Sequence, residues 1–353
     1  MTYVRPTVAS TSGYIPGEQP KPGTNIIKLN TNENPYPPSP QAMEILRSLD
    51  SEWLRRYPDP YAKEFCRAVS VVFDVPQDWV IVGNGSDDLL NLLIRSCAEG
   101  HDRTVVYPTP TYVLYRTLAD MHPANVVEIP YPPTFDLPLE QLITANGAIT
   151  FITSPNAPSG HEVPLDDIRQ LAHSVSGLVI VDEAYVDFGT ESALPLVQEL
   201  ENVMVLRSLS KGYSLAGLRL GYGIGRPELI QELFKVKDSY NVDAIAIALG
   251  TAAILDQDYK NACAEKVKRS RLTLTHELQR IGFHVLPSCG NFVLSTPPAQ
   301  ATLDAQAIYL ALKERGILVR YFHQPGLDDK LRITVGTDKH IQRLIQELVA
   351  ILH

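Results

Sequence analysis

The chain has 353 residues, 44% hydrophobic and 20% charged, a composition that suits a globular protein of about two domains and excludes a disordered one. Its net charge of −9 argues against nucleic acid or an anionic membrane as partner, so an anionic ligand must be captured by local arginines against an adverse overall field. Cys66, Cys97, Cys263 and Cys289 are scattered without a C-x-x-C pair, the histidines form no metal-ligand cluster, and no basic segment followed by an apolar one opens the chain; a cytoplasmic protein with reduced thiols is expected.

Residues 1–40 are rich in Pro, Gly, Thr and Asn and read as an arm. Residues 41–245 alternate β-runs with helical periods and read as a large α/β domain. Residues 246–353 read as a smaller α+β domain. Within the large domain, Val80–Val82 is a strand, followed by the glycine-rich turn Gly83-Asn84-Gly85-Ser86-Asp87-Asp88 and a helix through Leu89–Ile94. Backbone N–H groups at Ser86 and Asp87 can hold an anion, although an ordinary capped helix accounts for the same residues. A dinucleotide fingerprint is incomplete because Asp88 stands at its third glycine. Without a secretory signal, the sequon Asn84-Gly85-Ser86 is incidental.

Further strands follow at Thr104–Tyr107, Asn125–Ile129, Ile149–Thr153, Leu178–Val181, Val203–Leu206 and Gly221–Ile224, so a mostly parallel seven-stranded sheet flanked by helices is expected. After Ile149–Thr153 comes Ser154-Pro155-Asn156-Ala157-Pro158-Ser159-Gly160. There Asn156 offers an amide at the sheet edge, and plain turn chemistry explains it equally. Leu178–Val181 ends in Asp182-Glu183-Ala184-Tyr185. A carboxylate at that edge can pair with a protonated ring nitrogen, or simply cap a helix.

The run Ser208-Leu209-Ser210-Lys211-Gly212-Tyr213-Ser214-Leu215-Ala216-Gly217-Leu218-Arg219 sets a lysine between hydroxyls with an arginine eight residues on. Such an amine can condense with an aldehyde, while the hydroxyls and guanidinium suit a phosphate dianion. The cofactor that joins aldehyde and phosphate is pyridoxal 5′-phosphate, an electron sink for carbanion chemistry at an amino-acid-like carbon. Pro227-Glu228 starts a helix running toward Tyr240, and the alanine-rich stretch Ala244–Leu255 is too short to span a bilayer and reads as a buried helix. The last strands lie near His284–Leu286, Phe292–Leu294, Ile317–Arg320 and Arg332–Val335.

In this order the motifs resemble the class I/II-type aminotransferases of the pyridoxal-phosphate fold type I superfamily, and within it most of all the histidinol-phosphate aminotransferase family. The likeness runs from Leu29-Asn30-Thr31-Asn32-Glu33-Asn34-Pro35 to Leu331-Arg332-Ile333-Thr334-Val335-Gly336-Thr337. It implies that Lys211 bonds the cofactor aldehyde and serves as general base, that Asp182 pairs with the pyridine nitrogen, and that Tyr185 and Asn156 meet the phenolic oxygen. It implies that Tyr112 stacks on the ring, that Ser208, Ser210 and Arg219 bind the phosphate with the turn at Ser86-Asp87, and that Tyr57 reaches that phosphate from the partner subunit of a homodimer with shared sites.

At the substrate end the resemblance implies Arg332 and Arg320, with Tyr14 of the arm, around a distal phosphate; two guanidinium groups suit a phosphate better than a carboxylate. The implied reaction, in histidine biosynthesis, takes L-histidinol phosphate and 2-oxoglutarate to imidazole acetol phosphate and L-glutamate. An aromatic or aspartate aminotransferase, a threonine-phosphate decarboxylase and a noncatalytic cofactor-binding sensor stand as alternatives on the same fold. The chain departs from the family pattern at Asp88, where Glu is frequent, at Ala157, where a second Asn is frequent, at Ser159, where Thr is frequent, and by a shorter approach to Asn291.

Overall fold

The computed structural model describes residues 3–11, 13, 17–21, 23–98, 100 and 102–352. Its strands are β1 (Ile27–Lys28), β2 (Val80–Gly83), β3 (Thr104–Thr109), β4 (Asn125–Pro130), β5 (Ile149–Thr153), β6 (Leu178–Asp182), β7 (Val203–Ser208), β8 (Gly221–Ile224), β9 (His284–Val285), β10 (Phe292–Thr296), β11 (Ile317–Leu318), β12 (Arg320–Tyr321) and β13 (Leu331–Thr334).

The large sheet has seven strands in the order β2-β8-β7-β6-β5-β3-β4. Strand β8 runs opposite in direction to the other six. The reason is the link from β7: residues 209–220 hold a single short turn, Ala216–Leu218, and no crossover helix, so the chain reverses beside β7. That reversal leaves Lys211 and Arg219 at the C-terminal edge of the sheet. Strands β5 and β7 are buried along their whole length, as expected of mainly apolar strands in a sheet with helices on both faces.

Helix Ala244–Leu255 is apolar all round and is buried accordingly. Ala246, Ile247, Leu249, Ala253 and Ile254 share a core with Phe65 and Val69 of helix Lys63–Phe73, beside the large sheet. The helix that opens at Pro227 ends at Val236, short of Tyr240. The backbone turns extended at Lys237, and Asn241 instead bonds Asp88 at 2.8 Å, closing the chain over the turn after β2.

A smaller sheet, β12-β13-β10-β9, is antiparallel throughout. Leu274 and Leu278 of helix Gln257–Arg280, Ile308 of helix Ala305–Glu314, and Leu344 and Leu348 of helix Asp338–Leu352 pack on it. The run expected as one strand over Ile317–Arg320 is split at Val319. Its first half, β11, pairs in parallel with β1 of the arm, and its second half, β12, pairs with β13. The arm is thereby stitched to the smaller sheet just before the Leu29–Pro35 segment.

Candidate active site

The C-terminal edge of the large sheet opens into a cavity of about 360 Å³ walled on the far side by Arg320, Phe322 and Arg332. Asp182 ends β6 at its base. The Tyr115 hydroxyl donates to its Oδ2 at 2.8 Å and the Ala184 amide to its Oδ1 at 3.2 Å. Tyr115 is held by stacking on Phe151, ring centroids 4.6 Å apart. Both donors are neutral, and no cation pairs with Asp182 among the described residues. Burial raises its carboxyl to about 6, while the bond from Tyr115 holds it down. A buried carboxylate facing a cavity without a counter-ion suits a ligand that brings a positive charge.

Lys211 lies across the cavity, its Nζ donating to the Thr31 carbonyl at 3.1 Å. Burial, and next the charge of Arg332, lower it to about 8, so an appreciable share of the amine is neutral near physiological pH. Asn34 Nδ2 donates to the carbonyl of Lys211 at 3.0 Å and fixes the loop that carries it. The Tyr185 hydroxyl accepts from Asn32 Nδ2 at 3.0 Å, and Asn32 Oδ1 in turn accepts from Thr334 of β13 at 3.0 Å.

The opposite corner gathers the anion-binding set. Arg219 Nη1 donates to Ser210 Oγ at 3.3 Å, and the Ser210 amide to Ser208 Oγ at 3.1 Å. Arg219 Nη2 lies 3.3 Å from Asp87 Oδ2, and the Tyr112 hydroxyl donates to Asp87 Oδ1 at 3.1 Å. Gly85, at φ +81°, opens helix Ser86–Cys97; a Cβ there would sit 2.7 Å from Arg219 Nη2, so glycine lets the guanidinium lie over the turn. Two strand ends are locked behind this corner. Arg207 and Glu183, the neighbours of Ser208 and Asp182, form a buried ion pair at 2.8 Å, and Ser192 bonds both. Arg207→Ala strands the Glu183 charge and is expected to cost about 3–5 kcal/mol in denaturant unfolding. A loss below about 1 kcal/mol would show the pair to be hydrated instead.

On that far wall Arg320 of β12 stands directly opposite Arg332 of β13. Both guanidinium groups lie 5.5 Å from the Phe322 ring, and Arg332 also lies 5.4 Å from that of Phe292. Arg332 Nη2 donates to the Asn30 carbonyl at 3.0 Å.

Of the residues expected from sequence, Ser86, Asp87, Tyr112, Asp182, Tyr185, Ser208, Ser210, Lys211, Arg219, Arg320 and Arg332 all line this one cavity. Asn156 does not. It is fully buried beneath the floor with both amide hydrogens engaged, on the Pro110 carbonyl at 3.0 Å and Ser159 Oγ at 2.7 Å, and its neighbour Ala157 lines the cavity instead. Tyr57 lies outside the cavity, exposed and stacked on Tyr240 at 4.6 Å. Tyr14 lies outside the described residues. Sequence reasoning passed over Tyr115, Asn32 and Asn34. Tyr115 lies three residues after Tyr112, and the two asparagines were legible only as part of the Leu29–Pro35 motif.

A sheet edge with a readily deprotonated lysine, a buried carboxylate without a counter-ion among the described residues and an anion corner defines a class of enzyme. The chain belongs to the class I and II aminotransferases, whose family model matches residues 24–348. The particular relatives are histidinol-phosphate aminotransferases. Those called histidinol-phosphate aminotransferase 1 in Trichormus variabilis and in a Nostoc species are each 59% identical over 98% of this chain, and it spans 98% and 97% of their lengths. The crystal structure of histidinol-phosphate aminotransferase from Sinorhizobium meliloti in complex with pyridoxal 5′-phosphate superposes with a TM-score of 0.90 at 26% identity, covering 100% of this chain and 98% of that one. The architecture is that of the pyridoxal-phosphate fold type I enzymes.

Proposed function

We propose that the protein is a pyridoxal-phosphate-dependent aminotransferase that takes L-histidinol phosphate and 2-oxoglutarate to imidazole acetol phosphate and L-glutamate in histidine biosynthesis. The cofactor fits the site: Asp182 offers a counter-charge for a pyridinium, Lys211 an amine of lowered basicity for the aldehyde, and Ser208, Ser210, Arg219 and the turn at Ser86-Asp87 a phosphate cradle. Once bound, pyridoxal phosphate supplies the electron sink for removing a proton beside the substrate amine.

The chain supplies the rest. Lys211 Nζ removes the proton from the substrate carbon that bears the amine and later returns one, a role suited to a base titrating near the working pH. With the cofactor in place, Asp182 would keep a pyridine nitrogen protonated, and Tyr112, which lines the same cavity, would lie against the ring. Arg320 and Arg332 hold the substrate's phosphate; their cross-strand opposition, with both side chains lining the cavity, carries the substrate reading, because two converging guanidinium groups suit a phosphate dianion better than a carboxylate.

The test is a half-reaction in which pyridoxal-loaded protein meets L-histidinol phosphate or L-phenylalanine without an oxo acid. Loss of the visible band at much lower concentrations of histidinol phosphate is expected. An equal or better response to phenylalanine would turn the reading to an aromatic aminotransferase. Tyr115→Phe removes the donor that holds Asp182 down, so its carboxyl rises further above about 6 and cofactor binding to the apo protein fails at a higher pH than in wild type. A pH midpoint that stays in place would remove Tyr115 from this role.

We also propose a cytoplasmic homodimer with composite sites, in keeping with four cysteines that are all free and with the exposed ring of Tyr57. No described helix is long and apolar enough to cross a membrane. We further propose an arm over 1–40, a large domain and a small C-terminal domain, with the border between the two domains near Asp256 rather than after residue 245, because helix Ala244–Leu255 packs with the large sheet's core.

A further inference from the structure

We propose that this chain has no amide contact to the cofactor's phenolic oxygen, that Tyr185 carries that contact, and that position 157 sets how tightly the lysine-bound cofactor holds its proton. The inference rests on the pyridoxal-phosphate reading above and concerns a corner of the cavity where structure and family pattern part.

Asn156 cannot serve there. Its Nδ2 has two hydrogens, and both are engaged, on the Pro110 carbonyl at 3.0 Å and on Ser159 Oγ at 2.7 Å. Its Oδ1 accepts from Thr111 Oγ1 at 2.7 Å. Turning the amide over would set its oxygen against the Pro110 carbonyl, acceptor facing acceptor. The backbone is fixed as firmly, with the Asn156 amide donating to the His161 carbonyl and the Gly160 amide donating to the Asn156 carbonyl, each at 2.7 Å. Asn156 therefore ties the turn after β5 together from below.

The residue that reaches the cavity is Ala157, in the same apolar cluster as Tyr185. Its methyl group neither donates nor accepts. Tyr185 has the donor that Ala157 lacks. Its hydroxyl already accepts from Asn32 Nδ2 at 3.0 Å, so its own hydrogen can point to a ring oxygen. A donor on a phenolate oxygen stabilises the anion and competes with the internal hydrogen bond from the protonated nitrogen of the lysine-bound cofactor. With one donor fewer, that proton is held more tightly and is lost at a higher pH. An asparagine at 157 would extend into the cavity and supply the missing donor.

The experiment is a pH titration of the visible band of the pyridoxal-phosphate holoenzyme, with Lys211→Ala as the control that must lack the lysine-dependent band. Ala157→Asn is expected to lower the midpoint by about one pH unit, the scale of one charge-assisted hydrogen bond. Ala157→Val, of added bulk but no donor, should not lower it, and Tyr185→Phe should raise it by a similar amount. A midpoint unmoved in Ala157→Asn, or unraised in Tyr185→Phe, overturns the inference while the cofactor reading stands. Absence of any lysine-dependent band in wild type overturns the cofactor reading and the inference with it.

Discussion

Lys211→Met is expected to reduce turnover on the order of 10⁴-fold or more and, at pH 7, to make the apo protein more stable than wild type. The first effect follows from losing both the covalent anchor and the general base, the latter alone contributing up to ~10⁴-fold. The second follows from burial. The Lys211 amine titrates at about 8 in the folded chain against an ordinary value of 10.5. Below pH 8 it is protonated in both states, and the folded chain bears the full cost of a desolvated cation near Arg332. Between pH 8 and 10.5 the unfolded chain binds more protons than the folded one, so stability rises with pH. Above 10.5 the amine is neutral in both states and the slope vanishes. Methionine has no such slope. The stability gap between variant and wild type should therefore be widest below pH 8 and close toward pH 10.5, as read by denaturant unfolding across that range. A variant less stable than wild type by a margin independent of pH would instead make Lys211 a structural donor to Thr31.

The site that makes this trade was legible in sequence to the extent that it is built from strand ends. The strands β5, β6 and β7 are apolar runs that each end in polar residues, and in a sheet covered on both faces the only exit for such residues is the edge. Asp182, Ser208 and Lys211 follow from that rule. What pairing adds was not legible. Ile317–Arg320 reads as one β-run, and nothing in its alternation says that β11 joins the arm while β12 joins β13. Yet that switch brings Asn32 to Tyr185 and Thr31 to Lys211.

Asn156 marks a different boundary. Motif order fixes which residues lie in a turn, but not which of two neighbours faces the ligand. In the turn after β5 the hydrogen bonds to Pro110, Thr111 and Ser159 turn Asn156 inward and leave the cavity to Ala157. Tyr115 was hidden for a similar reason. Its spacing from Tyr112 fits core packing as well as it fits a donor, and only its position under Asp182, stacked on Phe151, decides the matter.

Arg332→Ala is expected to raise the KM for L-histidinol phosphate by about 10–100-fold, the equivalent of one charge-assisted, fork-like contact to phosphate. Arg332→Lys should fall between, since a point charge keeps the attraction but not the paired geometry. Arg320→Ala should weaken the phosphate substrate as well, while leaving any slow reaction with L-phenylalanine nearly unchanged, because a lone carboxylate needs only one guanidinium. The register gives the reason for treating the two as a unit: they are cross-strand partners on β12 and β13, share the Phe322 ring at 5.5 Å each, and line the same cavity. A phosphate dianion placed between them has oxygens and charge enough to engage both guanidinium groups. Inorganic phosphate should accordingly compete with histidinol phosphate in the holoenzyme, and the competition should fade in either variant. Equal loss of both substrates in Arg320→Ala, with no change in phosphate competition, would reduce Arg320 to a structural residue and leave Arg332 to bind whichever anion the substrate presents.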